Sequence, residues 1–244
     1  MSEAAGGRVF IDLHCHTSAS HDSLSRPRDV VRVAAARGLT HLAITDHDRI
    51  EGALAARDAA QAGICVIVGE EIRTREGDLI GLFLERPIPP GLAAREAAAA
   101  VREQGGLVGL PHPFDRFRGS LLAGGATLPG GTGALDALAP SLDYVEAFNA
   151  RVPFPAANER AAAYAAAHGL PGVAVSDAHT LLEVGIAYAV ATGLVGDAAE
   201  LRATLVGARL VTGRASYLVR AVTPFARLVQ YLRGRGRIPP GTER

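Results

Sequence analysis

The sequence predicts an α/β fold in which strands and helices alternate and the strands close into a barrel. Short apolar runs alternate with Ala-rich amphipathic stretches along most of the 244 residues, a pattern typical of a mostly parallel sheet covered by helices. Roughly seven such units in one chain favour a barrel over an open sheet. Glycines stand where helix C-terminal caps are expected, at Gly38, Gly63, Gly105 and Gly169.

The predicted elements follow these runs in order. The strands are Val9–Leu13, Leu42–Thr45, Ile64–Val68, Leu79–Leu84, Leu107–Leu110, Tyr144–Ala147, Val173–Val175 and Ile186–Ala191, with a last strand at Arg209–Val211. The helices between them are Arg28–Arg37, Ile50–Ala62, Leu92–Gln104, Ala156–His168 and Ala198–Val206. The Gly-rich stretch 114–133 is predicted to be a long loop, which in a compact domain is often functional. We assign residues 1–213 to the barrel and residues 214–244 to a C-terminal helix with a flexible tail.

Composition excludes some classes of protein and favours a location. Lys plus Arg and Asp plus Glu both number 25, so net charge gives no general attraction to nucleic acid. No apolar stretch reaches the roughly 20 residues needed to cross a membrane, and the N-terminus lacks a signal-peptide pattern. The two cysteines form no disulfide framework; Cys65 lies in an apolar run and is predicted to be buried. These features predict a cytoplasmic protein that does not contact a membrane.

Polar residues crowd the end of the first predicted strand, in "DLHCHTSASHDS" at residues 12–23. Alternate side chains of a strand share a face, so Asp12, His14 and His16 are expected to point one way. Leu13 and Cys15 would then point the other way. The C-terminal ends of barrel strands are where active sites are built, although one His-x-His pair alone is weak support for a metal site.

The same pattern recurs at four later strand ends, in "AITDHD", "VGEEI", "GLPHPF" and "VAVSDAH". Each fragment alone is better explained as a solvated turn or surface pair. Together they place five of the chain's eight histidines at predicted strand ends: His14, His16, His47, His112 and His179. Imidazoles mixed with carboxylates suit zinc, manganese or iron better than calcium or magnesium. Glu71 can bridge two such ions.

In this order, the motifs "DLHCHTSAS", "ITDHD", "GEEI", "PHP" and "SDAH" resemble those of the PHP (polymerase and histidinol phosphatase) family. The resemblance covers about residues 9–213. It implies a distorted (β/α)7 TIM-like barrel that holds two or three divalent metal ions at the strand C-termini. It also implies hydrolysis of phosphoester bonds, as in most characterised members.

The resemblance assigns metal ligands residue by residue: His14, His16, Asp22, His47, Glu71, His112, Asp177 and His179. His21 is the alternative to Asp22. Many members have His or Cys where this chain has Asn149, a weaker, neutral ligand. The substitution implies a labile site, or two ions in an otherwise three-metal cluster, or an amide that orients substrate. We further expect Asp12 and Asp46 to orient the ligand imidazoles.

The implied reaction is attack of metal-activated water on a phosphomonoester or phosphodiester. The substrate would be a small phosphorylated metabolite, a nucleotide or a short oligonucleotide. Arginines close to the motifs would bind phosphate, and Arg116 and Arg151 are preferred over Arg73, Arg75 and Arg118. His47 or His179 would assist the leaving group through a water molecule. The alternative is a non-catalytic or regulatory module that binds a polymerase, nucleic acid or a phosphorylated ligand.

Overall fold

The computed structural model describes residues 7–115 and 133–240 of the chain. Its strands are β1 (Arg8–Asp12), β2 (His41–Ile44), β3 (Cys65–Arg73), β4 (Asp78–Leu82), β5 (Leu107–Leu110), β6 (Tyr144–Asn149), β7 (Gly172–Val175), β8 (Ala187–Thr192) and β9 (Arg209–Thr212). Its helices are α1 (Pro27–Ala36), α2 (Glu51–Asp58), α3 (Ala94–Glu103), α4 (Gly133–Leu138), α5 (Pro155–Ala167), α6 (Ala198–Leu205), α7 (Tyr217–Arg220) and α8 (Val222–Leu232). Each predicted strand and helix therefore has a counterpart, while α4 and α7 were not predicted.

The strands form one sheet, in the order β7-β6-β5-β4-β3-β2-β1-β8-β9, that nearly closes into a barrel. Closure joins the segments after β7 and β1, because Asp177 N donates to His14 O and His16 N donates to Ala178 O, both at 2.9 Å. The predicted distorted α/β barrel is confirmed. It is less parallel than expected, since β4 runs antiparallel to both of its neighbours, and β8 and β9 add antiparallel strands beside β1.

Apolar side chains cover both faces of this sheet. On β2, Leu42 and Ile44 pack with helix residues such as Ala53, while Ala43 belongs to a separate buried cluster with Tyr144. Burial on both faces is expected of a barrel wall, because one face meets the helices and the other fills the interior. The prediction for Cys65 was wrong: it is exposed, because it is the first residue of β3.

Gly109 on β5 makes room for the buried ring of Tyr144, its partner across the parallel β5–β6 pair. A Cβ atom at this position would overlap that ring. We therefore expect Gly109→Ala to lower the free energy of unfolding by about 1–3 kcal/mol, the usual cost of overpacking a core. Urea titration of both variants measures this, with Gly7→Ala as control, since no atom lies within 4 Å of its added Cβ. If the two variants were equally stable, the barrel interior would accommodate the added methyl group at position 109 without loss of stability.

The C-terminal segment, residues 217–238, packs on the barrel. The side chain of Gln230 is fully buried, and its Nε2 lies 2.8 Å from Ser18 O, 3.0 Å from Ser20 O and 2.8 Å from Ser23 O. These three carbonyls belong to the loop that follows β1. Helix α8 thus holds the loop that carries His21 and Asp22. The boundary at residue 213 remains a prediction, and the expected tail lies partly outside the described residues.

Among residues 7–115 and 133–240, no helix combines the length and the apolar character needed to span a bilayer.

Candidate metal centre

The structure brings all eight predicted ligands to one end of the barrel. Glu71 lies near the end of β3, and the other seven follow β1, β2, β5 or β7 or lie in the loop after β1. Parallel strands present their C-terminal ends at one edge, so short loops suffice to gather these side chains. Most of the ligands are buried, and His47 lies at the wall of a cavity of about 500 Å³ that opens above the cluster.

The central group consists of His14, His16, Glu71 and Asp177. The Nε2 atoms of the two histidines are 2.9 Å apart, and each lies 3.4 Å from Glu71 Oε2. Asp177 Oδ1 lies 3.8 Å from His14 Nε2 and 3.6 Å from His16 Nε2. A tetrahedral ion with bonds of about 2.0–2.2 Å would separate its ligand atoms by about 3.3–3.6 Å. The separations of 2.9–3.8 Å bracket that range, so small shifts of the four side chains would accommodate a single ion of zinc-like size.

A second group, next to the first, contains His16, Asp22, His47 and His179, with ligand atoms within 4.8 Å of one another. Asp22 Oδ2 lies 3.3 Å from His47 Nε2 and 3.4 Å from His179 Nε2. Its other oxygen, Oδ1, is buried without a hydrogen-bond partner among the described residues. A buried, unsatisfied carboxylate oxygen costs free energy unless a cation meets it, so this group also fits a metal ion.

The third group contains Glu71, His112 and Asp78, again with ligand atoms within 4.8 Å. Glu71 Oε1 lies 3.0 Å from His112 Nε2, while its Oε2 faces His14 and His16. Glu71 is therefore oriented as a carboxylate that can bridge two ions. Burial, together with the charge of Glu71, raises the pKa of Asp78 to about 7.

Asp78 is absent from the predicted ligands because the prediction considered only residues at the C-terminal ends of strands. Strand β4 runs antiparallel to β3, with Asp78 opposite Arg73, so its first residue reaches the same barrel edge. The available signal was Asp78 itself, the acidic residue that ends the turn sequence "REGD" after the strand of Glu71.

Three of the ligand histidines have their Nδ1 atom held by a neighbouring group outside the set of ligand atoms. His14 Nδ1 lies 2.6 Å from Glu146 Oε1, His16 Nδ1 lies 3.0 Å from Ser20 Oγ, and His179 Nδ1 lies 2.9 Å from Asp177 O. Such contacts set the ring orientation and direct Nε2 toward the cluster, as in many metal sites. The buried Glu146, which sequence reasoning missed, also accepts a hydrogen bond from His112 N.

The roles expected for Asp12 and Asp46 need correction. Asp12 accepts hydrogen bonds from the backbone N–H groups of Ser176 and His14, at 3.0 and 3.4 Å. Asp46 accepts from the N and Oγ1 of Thr17, at 2.6 and 2.7 Å. Both carboxylates therefore position residues of the loops and not the imidazole rings. Although β1 ends at Asp12, His14 and His16 converge as expected, since their Nε2 atoms lie 2.9 Å apart.

Glu146 gives a direct test of ring orientation. We expect Glu146→Gln to weaken metal binding by about 10–100-fold, the usual effect of removing such a partner. The neutral amide keeps the shape of the side chain but removes the charge beside His14. Titration with a chelating dye measures the dissociation constant, and unfolding measured in the metal-free state provides the control. Unchanged metal affinity would mean that His14 is oriented without Glu146.

Electrostatics in the metal-free cluster are governed by its carboxylates. Burial lowers the pKa of His14, but Glu146 and Glu71 outweigh it and raise that pKa to about 10. Burial opposes the charging of His47 in the same way, and Glu71 and Asp22 raise its pKa well above the ordinary value. The pKa of His16 is lowered well below normal by burial and by neighbouring histidines. Without a metal ion, His14 and His47 therefore favour the protonated form, whereas His16 favours the neutral form.

Two candidate ligands adopt strained backbone conformations. The φ angle is 28° at His112 and 50° at Asp177, in the left-handed region that non-glycine residues rarely occupy. Such conformations persist where the surroundings enforce them and concentrate at functional sites. Here they turn the two side chains into the cluster at the points where β5 and β7 end.

Asn149 does not reach the cavity. It is fully buried, its Nδ2 donates to Glu146 Oε2 at 2.8 Å and Asp177 Oδ2 at 2.9 Å, and its Oδ1 accepts from Arg151 N at 2.9 Å. The amide is thereby engaged on both sides. We therefore favour a role in holding Asp177 over the ligand or substrate contacts expected from the sequence.

The predicted phosphate-binding arginines differ in their surroundings. Arg151 lines the cavity, ion-paired with Glu183 at 3.2 Å and donating to Thr223 Oγ1 at 2.7 Å. Arg116 and Arg118 lie outside the described residues. Arg73 is paired with Asp48, and Arg75 with Glu96. Arg227 and Arg237 of the C-terminal segment also line the cavity and were not predicted.

His47 and His179, expected to assist the leaving group, are both part of the cluster. His47 Nδ1 lies 3.0 Å from Glu71 Oε2 and its Nε2 lies near Asp22, so both nitrogens face carboxylates. A nitrogen that binds a metal cannot also transfer a proton, so the two roles compete. Between the alternatives His21 and Asp22, the contacts favour Asp22 as ligand, because His21 Nε2 instead accepts a hydrogen bond from Arg237 Nε at 3.1 Å.

The fold and the cluster define an α/β barrel with a buried histidine–carboxylate centre at its strand ends. Two family models match the chain, "PHP domain" over residues 12–114 and "PHP-associated" over residues 155–205. The chain belongs to the PHP family.

The chain is also similar to individual proteins in sequence and in fold. An uncharacterized protein of Methanocaldococcus jannaschii is 36% identical over 178 residues, which cover 73% of this chain and 68% of that protein. A 5'-3' exoribonuclease of Haemophilus influenzae is 37% identical over 117 residues, which cover 43% of this chain and 42% of that enzyme. A crystal structure of a two-domain protein of Bacteroides vulgatus, containing a predicted PHP-like metal-dependent phosphoesterase, superposes with a TM-score of 0.68 at 18% identity, covering 87% of this chain and 67% of that one.

Proposed function

We propose that this protein is a metal-dependent phosphoesterase that hydrolyses a phosphomonoester or phosphodiester of a nucleotide, a short oligonucleotide or a small metabolite. One observation supports this most strongly. Three groups of ligand atoms, linked through His16 and Glu71, lie at the base of an open cavity that arginines line. Membership of a phosphoesterase family and the similarity to an exoribonuclease support the same reaction class.

The residues present suit divalent metal ions. His14, His16, Glu71 and Asp177 would hold one ion, and Asp22, His47 and His179 would hold a second. Glu71, Asp78 and His112 provide ligands for a third. Bound there, divalent ions lower the pKa of water and neutralise the charge of a phosphate group.

The protein contributes position and charge to this reaction. The Nδ1 partners of the histidines fix the cluster before substrate arrives, so little reorganisation is needed during reaction. Arg151 is fixed by Glu183 and Thr223 at the cavity wall, where its guanidinium would orient an anionic substrate. Enclosure of the cluster excludes bulk water from all but the open side.

The proposal is tested with a panel of phosphomonoesters and phosphodiesters offered to the metal-reconstituted protein. We expect phosphate or alcohol release from at least one class and none from the folded double variant His14→Ala/His16→Ala. The non-catalytic alternative predicts binding without turnover. Fewer than one transition-metal ion bound per chain, with no release from any ester, would overturn the enzyme proposal.

A further inference from the structure

We propose that Gln230 on α8 is a positioning residue for the second group of ligands, and that it thereby sets how tightly this group binds its ion. The group consists of His16, Asp22, His47 and His179. The inference rests on the proposed function through the metal ions assigned there, and it adds a residue that acts on the ligands through the loop after β1. The family models end at residue 205, so Gln230 lies beyond the part of the chain they match.

Local structure fixes the place of Gln230 on the barrel. It lies one turn after Ala226 on α8, and the two residues are buried, with exposed fractions of 0% and 1%. The helix ends just beyond, where Gly234 has a φ angle of 71°, in the left-handed region that glycine adopts readily. Arg235 N donates to Gln230 O at 2.8 Å across this turn, a common way to end a helix. Residue 230 is therefore held in the last turn of α8.

The amide of Gln230 gathers three backbone carbonyls of the loop after β1. Its Nε2 lies 2.8 Å from Ser18 O, 3.0 Å from Ser20 O and 2.8 Å from Ser23 O. The reverse orientation would set the amide oxygen against three carbonyl oxygens, so these contacts make Nε2 the atom that faces the loop. Without this donor the three carbonyls would be buried close together and unsatisfied, which destabilises this conformation of the loop.

Ser20 transmits the constraint to two ligands. Its carbonyl accepts from Gln230, while its Oγ lies 3.0 Å from His16 Nδ1 and accepts a hydrogen bond from His47 N at 3.0 Å. The backbone of His16 is also held elsewhere, because its N donates to Ala178 O at 2.9 Å. A shift of Ser20 would therefore turn the His16 ring and displace His47.

The same loop contains or holds the other two ligands of the second group. Asp22 directly precedes Ser23, whose carbonyl also accepts from Gln230. Ser23 Oγ donates to His179 O at 2.9 Å, and Ser25 Oγ donates to the same oxygen at 3.3 Å. All four ligands of the second group are thus connected to Gln230 through this loop.

The first group of ligands is held mainly by strands. Its members His14 and Asp177 accept or make hydrogen bonds with Glu146 and Asn149 of β6. Its remaining carboxylate, Glu71, lies within β3. Release of the loop should therefore weaken binding of the second ion far more than binding of the first.

The test is calorimetric titration of the metal-free protein with Mn²⁺, which resolves successive ions by their affinity. Asp22→Asn removes a ligand found only in the second group, so it identifies the binding step of that ion. We expect Gln230→Met, of similar size but without a donor, to weaken that step by about tenfold or more and each other step by less than about threefold. Gln230→Lys should recover most of the loss, because its ammonium group offers three N–H donors.

Two further variants separate positioning from general stability. Gln104→Met is the matched control, because Gln104 also binds loop backbone, at Glu85 N and Arg86 N, but none of the ligands. It should leave every binding step unchanged. Ser20→Ala removes only the hydroxyl that contacts the two histidines, and it should weaken the second-group step by about tenfold even if Gln230→Met does not fold.

Metal binding is measured without any substrate, so this inference and the proposed function can fail separately. Selective weakening of the second-group step in a protein that hydrolyses no ester would retain the role of Gln230 and refute the esterase. Turnover of an ester with every binding step unchanged in Gln230→Met would do the reverse. Equal weakening of all steps, no recovery in Gln230→Lys, or an unchanged second-group step in Ser20→Ala would overturn the positioning role.

Discussion

Glu71→Gln is expected to lower kcat for phosphoester hydrolysis by at least about 1000-fold. Glu71 is 2% exposed, and its two oxygens face different groups of ligand atoms, Oε2 toward His14 and His16 and Oε1 toward His112. The amide keeps one oxygen but loses the charge and the second acceptor. Two neighbouring ions would thus lose the carboxylate that they share.

The measurement is kcat together with metal content at saturating metal. Glu70→Gln is the matched control, because Glu70 precedes Glu71 on β3 but accepts a hydrogen bond from Ile88 N, away from the cluster. Burial raises the pKa of Glu70 well above its usual range, so the amide replaces a largely neutral group. If Glu71→Gln retained wild-type kcat, Glu71 would not be the bridging residue.

Metal affinity is expected to rise about tenfold per pH unit for each proton displaced between pH 6.5 and 8.5. His14 has a pKa of about 10 in the metal-free state, despite burial, because Glu146 and Glu71 favour its charged form. The pKa of His47 is also raised well above its ordinary value, against burial, by Glu71 and Asp22. Below these pKa values a metal ion must displace protons, so binding weakens as pH falls.

The same shifts determine how the stability of the metal-free protein depends on pH. A histidine whose pKa rises on folding contributes stability that is fully present below its unfolded value. For His14 this contribution is lost as pH rises through about 10. Chelator-treated protein should therefore become less stable from pH 6.5 upward while metal affinity increases. The predicted rise of metal affinity with pH is checked by measuring the affinity at pH 6.5, 7.5 and 8.5, corrected for protonation of the chelator. An affinity that does not change with pH would show that the histidines are already neutral.

Much of the fold and the proposed ligand set could be predicted because parallel strands bring their C-terminal ends to one edge. His14, His47, Glu71 and His112 all follow apolar runs that form strands, so their proximity follows from strand order alone. Asp78 could not be found in this way, since it begins the antiparallel strand β4. The periodicity of a short strand does not reveal its direction.

Residues whose roles depend on long-range packing were also missed. Glu146 lies within β6, beside a register shift between Glu146 and Phe148, and reaches His14 across 132 positions of sequence. Arg237 is 216 positions from His21, and nothing in the local sequence of the C-terminal segment indicates where it packs. Asp12 was assigned to an imidazole because it shares a strand end with the ligand histidines, but that position does not reveal that its carboxylate meets the N–H groups of Ser176 and His14.

The central claim is that the buried histidine–carboxylate cluster holds metal ions. Elemental analysis of the purified protein after reconstitution with manganese, iron or zinc and removal of loosely bound ions tests it most directly. Two or three tightly bound ions per chain are predicted, falling to one or fewer in His14→Ala/His16→Ala. Fewer than one ion in the folded wild-type protein would contradict the account.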